Sequence, residues 1–287
     1  MQISPILYTN QTYYNKPRKK DSVSFCSNPK SHFLEFTFND FFVNIKGYGK
    51  DQHWARNVRQ LADKATEKIK TSETSDEVLI YIADGIRNAN NFCFDIRKKE
   101  HSGILRTTRT GYGKAGNWCG QKIITKITNQ YKSYEDKLMQ IYYKPLKNPF
   151  NDISLTKVEY DKHKVNIELV HGDDAKINNA LDRVGGKFFN LKKEYISNPN
   201  NVTQNTLPKI NSDVAEIRWI MAHSMPWERG SDAISNVFMR SLYKSMGIKT
   251  YPIKEGISLD MEAFCTPLGD YKKNFTNYFE IEPNVMF

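Results

Sequence analysis

Apolar residues recur at helical spacing over several stretches of the chain, and these set the expected elements. In "HWARNVRQLADKATEKIK" (53–70), Val58, Leu61 and Ala65 fall on one side of a helix. "SDEVLIYIADGIRNAN" (75–90) reads as a second helix, capped by Ser75 or Asp76. Ile123, Ile124, Ile127 and Tyr131 fit the same period and predict a long helix from about Gly120 to Tyr142. A further helix is expected over "DDAKINNALDRVGGKFFNLKKEYI" (173–196), broken or kinked at Gly185-Gly186.

Alternation of apolar and polar positions is rarer. The Phe-rich "HFLEFTFNDFFVNI" (32–45) alternates in part and predicts a strand pair turning at Asn39-Asp40. "FCFDIRKK" and "ILRTTRT" read as a hairpin around His101-Ser102-Gly103, and "KVEYD" with "KVNIELV" as a second hairpin. The loops are "PLKNPFND" (145–152), a candidate subdomain boundary, and the long polar "SNPNNVTQNTLPKINS" (197–212).

The C-terminal part is the most explicit. Over 213–225, Val214, Ile217 and Met221 form one apolar stripe and Trp219, Ile220 and His223 a second, the pattern of a buried helix. Asp213 followed by Glu216 resembles a capping box, and Pro226 ends the helix. Ser231 or Asp232 would cap the next helix, 232–246, whose Ile234, Val237, Phe238 and Leu242 share one face and which ends at Gly247. The expected fold is therefore α+β: mainly helical, with short antiparallel hairpins and a C-terminal helical hairpin. Residues 1–30 form an irregular basic arm containing "KPRKK", and 31–287 a single domain.

Composition adds a charge argument. Hydrophobic residues make up 39% and charged residues 26%, which fits a globular chain with a real core rather than a disordered one. The formal charge of +10 and a pI near 9.2 favour anionic partners: a phosphate-bearing small molecule or nucleic acid, although no nucleic-acid motif is present. No run of residues is long and apolar enough for a membrane span. "MQISPILYTNQ" lacks the pattern of a signal peptide, so the expected location is the cytoplasm, or a host cell reached by another secretion route. Cys26, Cys93, Cys119 and Cys265 lie far apart, without zinc-ligand spacing, which points to reduced thiols.

Two stretches carry candidate chemistry. In "RTTRTGYGKAGNWCGQK" (106–122), Gly111, Gly113 and Gly116 let backbone N–H groups approach a phosphate, with Arg106, Arg109 and Lys114 around them. An anion-binding turn fits better than a dinucleotide fold, because the acidic residues that follow, Glu135 and Asp136, fall inside a helix. The second is the hairpin tip "PWERGSDAIS" (226–235), where Trp227, Arg229, Gly230, Ser231 and Asp232 stand at a helix N-terminus. Arg229 and Arg109 would stabilise charge on a nucleotide or dinucleotide, Trp227 would stack on its base, and His223 would be the general base. No metal is indicated: "HGDD" (171–174) has the residue types, but a helix cap at Asp173 or Asp174 explains it.

The stretch "PWERGSDAISNVFMRSLYKSMGI" resembles the loop-helix signature of Fic-type nucleotidyl transferases in Pro226, Trp227, Gly230 and the length of the helix. His223 lies two residues earlier than in that pattern, and Ser231, Asp232 and Ala233 replace its Asn-Gly-Arg, so the usual triphosphate-binding arginine is missing. The resemblance implies nucleotide transfer to a macromolecule. The basic, Asn/Lys/Tyr-rich composition with its acidic, aromatic tail also has the character of a secreted bacterial effector or toxin, with a host protein as target. A non-enzymatic basic binder is the alternative reading. A cysteine hydrolase is the third, built on Cys119 at a helix N-terminus with His171 and Asp173 as partners.

Overall fold

The computed structural model describes residues 34–42, 51–93, 101–106, 132–161 and 166–286. Helix α1 (Gln52–Thr71) is capped by Asp51, whose carboxylate accepts from the N–H groups of His53 and Trp54. It packs its Val58, Leu61, Ala62 and Ala65 face on α2 (Ser75–Cys93). Thr74, not Ser75 or Asp76, accepts the N–H of Glu77 at the start of α2; Asp76 and Glu77 sit in the first turn, where the helix dipole favours negative charge. Of the long helix expected from Gly120, the described part is α3 (Lys132–Tyr143).

Strands β1 (Lys157–Asp161) and β2 (Asn166–Val170) pair antiparallel, with Glu159 opposite Glu168, as the alternation predicts. Helix α4 (Ile177–Leu191) runs straight through Gly185-Gly186 and continues as a π-helical turn, Lys192–Ile196. The helix is not broken there, and Gly185 faces α2: a Cβ on it would lie 3.3 Å from Ser75 Oγ.

Helix α5 (Leu207–Ser224) begins six residues earlier than the sequence predicts, because Pro208 is accommodated in its first turn. The "loop" 197–212 thus contains a short 3₁₀ turn, Pro199–Asn201, and the start of α5. Asp213 and Glu216 do not form a capping box; both take the Lys187 ammonium, at 2.8 and 3.1 Å. Met225, in the left-handed region at φ 41°, ends α5 immediately before Pro226. Helix α6 (Ser231–Ser245) follows. Helix α5 is buried along most of its length and packs against α4, α6 and α7 (Leu259–Cys265), the place of a central helix.

The C-terminal segment is core. Helix α8 (Leu268–Asn274) leads to a cluster of Tyr271, Phe275, Tyr278 and Phe279, all buried. Strand β3 (Ile248–Lys249) pairs with β4 (Asn284–Val285) beside it. The fold is a mainly helical α+β arrangement, its strands confined to short antiparallel pairs. Contiguous apolar packing runs from Phe36 to Phe279 and includes Ile153 beside the 145–152 loop.

The strand pair expected at 32–45 is corrected in its described part. Phe38–Phe41 is a 3₁₀ turn closed by a capping box between Thr37 and Asp40. Partial alternation of phenylalanines gave the strand reading. The turn prevails because it buries Phe41 while aiming Asp40 at Arg240.

Candidate functional site

Of the stretch 106–122 only Arg106 is among the described residues, and it meets the second stretch. The segment 101–106 lies along the tip 226–229: Gly103 N–H donates to Arg229 O (3.0 Å), Glu228 N–H to Ile104 O (2.8 Å) and Arg106 N–H to Pro226 O (2.9 Å). Ser102 bridges Arg229 and Leu105 bridges Trp227. Residues 94–99 and 107–110 of the hairpin expected around 101–103 lie outside the described residues. Gly103 is required at its position: its φ is 68°, and a Cβ would lie 2.4 Å from Ala83 O of α2.

Arg106 locks this contact from beneath. It is 1% exposed, and its guanidinium donates to Ser224 O, Met225 O and Gly172 O and pairs with Asp174. The basic turn therefore departs from a residue bolted to the tip. Arg109, Gly111, Gly113, Lys114 and Cys119 lie outside the described residues.

The tip is tightly closed. Gly230, at φ 86°, is the N-cap of α6, where the sequence suggests Ser231 or Asp232. Ser231 instead closes the turn, its hydroxyl donating to Trp227 O (3.0 Å) and accepting Trp227 N–H (3.1 Å). Asp232 pairs with Arg218, which also holds Asp260 at 2.7 Å. Trp227 is buried and contributes to the wall of a cleft of about 540 Å³. Arg229 is partly exposed.

A pair that the sequence did not single out stands at this junction. His101 Nδ1 lies 2.6 Å from Glu228 Oε2, and the Glu228 side chain is fully buried while that of His101 keeps 21% of its surface. A carboxylate at Nδ1 orients the ring. No spacing rule connects residues 127 apart, so only the fold shows the pair.

His223 is elsewhere. It has no exposed surface, its Nδ1 accepts Thr156 N–H at 3.2 Å, and its Nε2 lies 3.0 Å from Ala263 O. The rings of Trp219 and Phe264 flank it. His171 is equally enclosed, with Nδ1 2.8 Å from Thr156 Oγ1. Asp173 caps the 3₁₀ turn after β2 by accepting Ala175 N–H, the role the sequence predicts for the "HGDD" stretch. Burial pushes the Cys265 thiol up to about 12, where it is inert.

The enclosed histidines predict a pH effect. Burial lowers both His171 and His223 to about 3, from an ordinary value of 6.5. The unfolded chain therefore binds more protons than the folded one between about pH 3 and 6.5, and stability falls as pH drops through that window. The slope is about 1.4 kcal/mol per pH unit for each imidazole. Asp260, lifted by burial to about 7, works in the opposite direction above 3.8. Two imidazoles against one carboxyl leave a net loss on acidification. Urea midpoints measured between pH 6.5 and 5 should fall, and His171→Gln should flatten the slope; a midpoint flat with pH contradicts neutral buried rings.

Among the described residues, no helix is long and apolar enough to cross a membrane. No curated protein matches the sequence. Residues 189–282, which include α5, the tip and α6, match the family model of the AvrB and AvrC avirulence proteins; over this third of its length the chain is similar to those proteins, which supports a bacterial effector character.

Proposed function

We propose that the protein is a group transferase that acts inside a host cell, taking a nucleotide or another phosphate-bearing co-substrate and modifying a host macromolecule. The observation that carries this reading is the pairing of 101–106 with 226–229, which sets the start of the basic glycine turn beside the helical tip. Arg106 positions the turn. Arg229 and the N-terminus of α6 at Gly230 would meet the phosphates, and Arg109, Lys114, Gly111 and Gly113, outside the described residues, would complete the site. The proton-accepting role expected of His223 passes to His101, oriented by Glu228. Nε2 of His101 takes the proton from the acceptor hydroxyl or amine, that atom bonds to the transferred group, and the phosphate leaves with its electron pair, neutralised by Arg109 and Arg229. The avirulence-family match over 189–282 supports an effector with a host target.

The test separates binding from transfer. Millimolar ATP, GTP, NAD or a nucleoside-diphosphate sugar should raise the melting temperature, since a ligand at 100 times its Kd adds about 2.7 kcal/mol. Arg229→Ala should abolish the rise. His101→Gln should keep it but lose the mass added to the chain or to an offered acceptor protein, read by mass spectrometry. If none of these compounds shifts the melting temperature and no mass is added, the transferase reading fails. The non-enzymatic alternative, supported by the +10 charge, then predicts polyanion binding that weakens by about 0.9 log unit per neutralised phosphate and log unit of salt.

A further inference from the structure

The cleft beside the tip has the wrong sign for the phosphate chemistry just described. It lies between α2, α4 and Trp227, and its carboxylates are Asp76, Asp84 and Asp182. Among the described residues Arg87 is the one cation that lines it, and its guanidinium is occupied: Nε donates to Ser102 O (2.9 Å), Nη2 to Gly103 O (3.0 Å), and Nη1 lies 3.1 Å from Asp84. A chain of net charge +10 thus presents a locally acidic cleft.

Its floor is apolar. Leu79, Ala83 and Trp227 are buried beneath it, while Ile80 on its rim is 64% exposed. The volume of about 540 Å³ falls within the range of formed ligand sites. Carboxylates around an apolar floor suit one kind of side chain above others. Lysine and arginine lay their aliphatic stems on apolar surface and carry the charge to its edge, and arginine also stacks on tryptophan.

We infer that the cleft between α2, α4 and Trp227 is a docking site for a basic segment of another protein, one that carries aliphatic residues between its lysines or arginines. Charge complementarity fixes the sign of the segment, and the apolar floor with Ile80 requires its aliphatic positions. The inference does not depend on the transferase reading, because docking is measured without turnover.

Fluorescence anisotropy of the full chain tests it. The probe is a fluorescein-labelled twelve-residue peptide of alternating Arg and Leu, compared with peptides in which Glu replaces Arg or Gly replaces Leu. The Arg-Leu peptide should bind best, and more weakly as salt rises. Asp76→Asn/Asp182→Asn and Ile80→Asn, all at exposed positions, should each weaken binding by about tenfold at an unchanged melting temperature. Equal affinity in the Asp76/Asp182 variant overturns the inference. So does equal binding of the Gly-substituted peptide, or competition by spermine as strong as by the unlabelled peptide, either of which would make the cleft a site for any polycation. A change in sedimentation of the Ile80→Asn protein alone would identify a second copy of the chain as the occupant and also overturn it.

Discussion

Asp40→Ala is expected to destabilise the protein by about 3–5 kcal/mol, the cost of leaving a buried charge without its partner. The Asp40 and Arg240 side chains are 2% and 0% exposed and lie 3.0 Å apart. Arg240 also donates to Asn236, Thr250 Oγ1 and Tyr251 O, and its guanidinium lies 5.9 Å from the rings of Phe41 and Phe279. Removing the carboxylate leaves that buried guanidinium without its counter-charge and opens the Thr37–Asp40 capping box as well. Burial already lowers the Arg240 pKa, and the Asp40 charge opposes that shift. The loss should appear in the urea midpoint, with a melting temperature lower by roughly 2–4 °C per kcal/mol. Replacing both partners, as in Asp40→Leu/Arg240→Met, should cost less than Asp40→Ala, because no charge is then left buried. A loss below about 1 kcal/mol in Asp40→Ala would mean that water reaches Arg240 and that the pair does not tie residues 37–41 to the core.

That pair also marks the limit of what the sequence could reveal. Elements with a clean period were legible: the α1 face of Val58, Leu61 and Ala65, the β1–β2 hairpin, and the buried double stripe of α5. Each depends on neighbours a few residues away. Of the expectations that failed, some depend on distant partners and others on local geometry. Asp40 looks like a turn residue until Arg240, 200 positions on, is folded against it. Gly185-Gly186 reads as a break, yet the helix runs on through both. Pro208 reads as a loop residue, although proline in the first turn of a helix loses only an N–H that has no partner there.

The candidate site follows the same rule. The helical tip was visible as a composition of Gly, Arg and helix caps, and Arg106 as the first residue of the basic stretch. Their junction was not, because it rests on backbone pairing between 101–106 and 226–229 and on a His101–Glu228 contact across 127 positions. His223 could be read as a base from its place just before the tip, although it lies on an apolar stripe. The same stripe is what encloses it between Trp219 and Phe264.

Arg106→Ala is the second large effect expected, and it links stability to the site. The guanidinium satisfies the carbonyls of Ser224, Met225 and Gly172 and balances Asp174, so its removal leaves buried acceptors without donors, at about 3–5 kcal/mol in total. Arg106→Lys restores one charge opposite Asp174 but cannot reach three carbonyls from a single ammonium, so most of the loss should persist. A merely structural residue would lower stability everywhere alike. Arg106 should do more: amide exchange should accelerate first at Gly103, Arg106 and Glu228, whose N–H groups join the 101–106 segment to the tip. If those three amides stay protected in Arg106→Ala while the midpoint falls, the clamp is not what holds the junction. If they open together and the nucleotide-induced rise in melting temperature disappears with them, the basic turn reaches its ligand only while Arg106 holds the 101–106 segment on the helical tip.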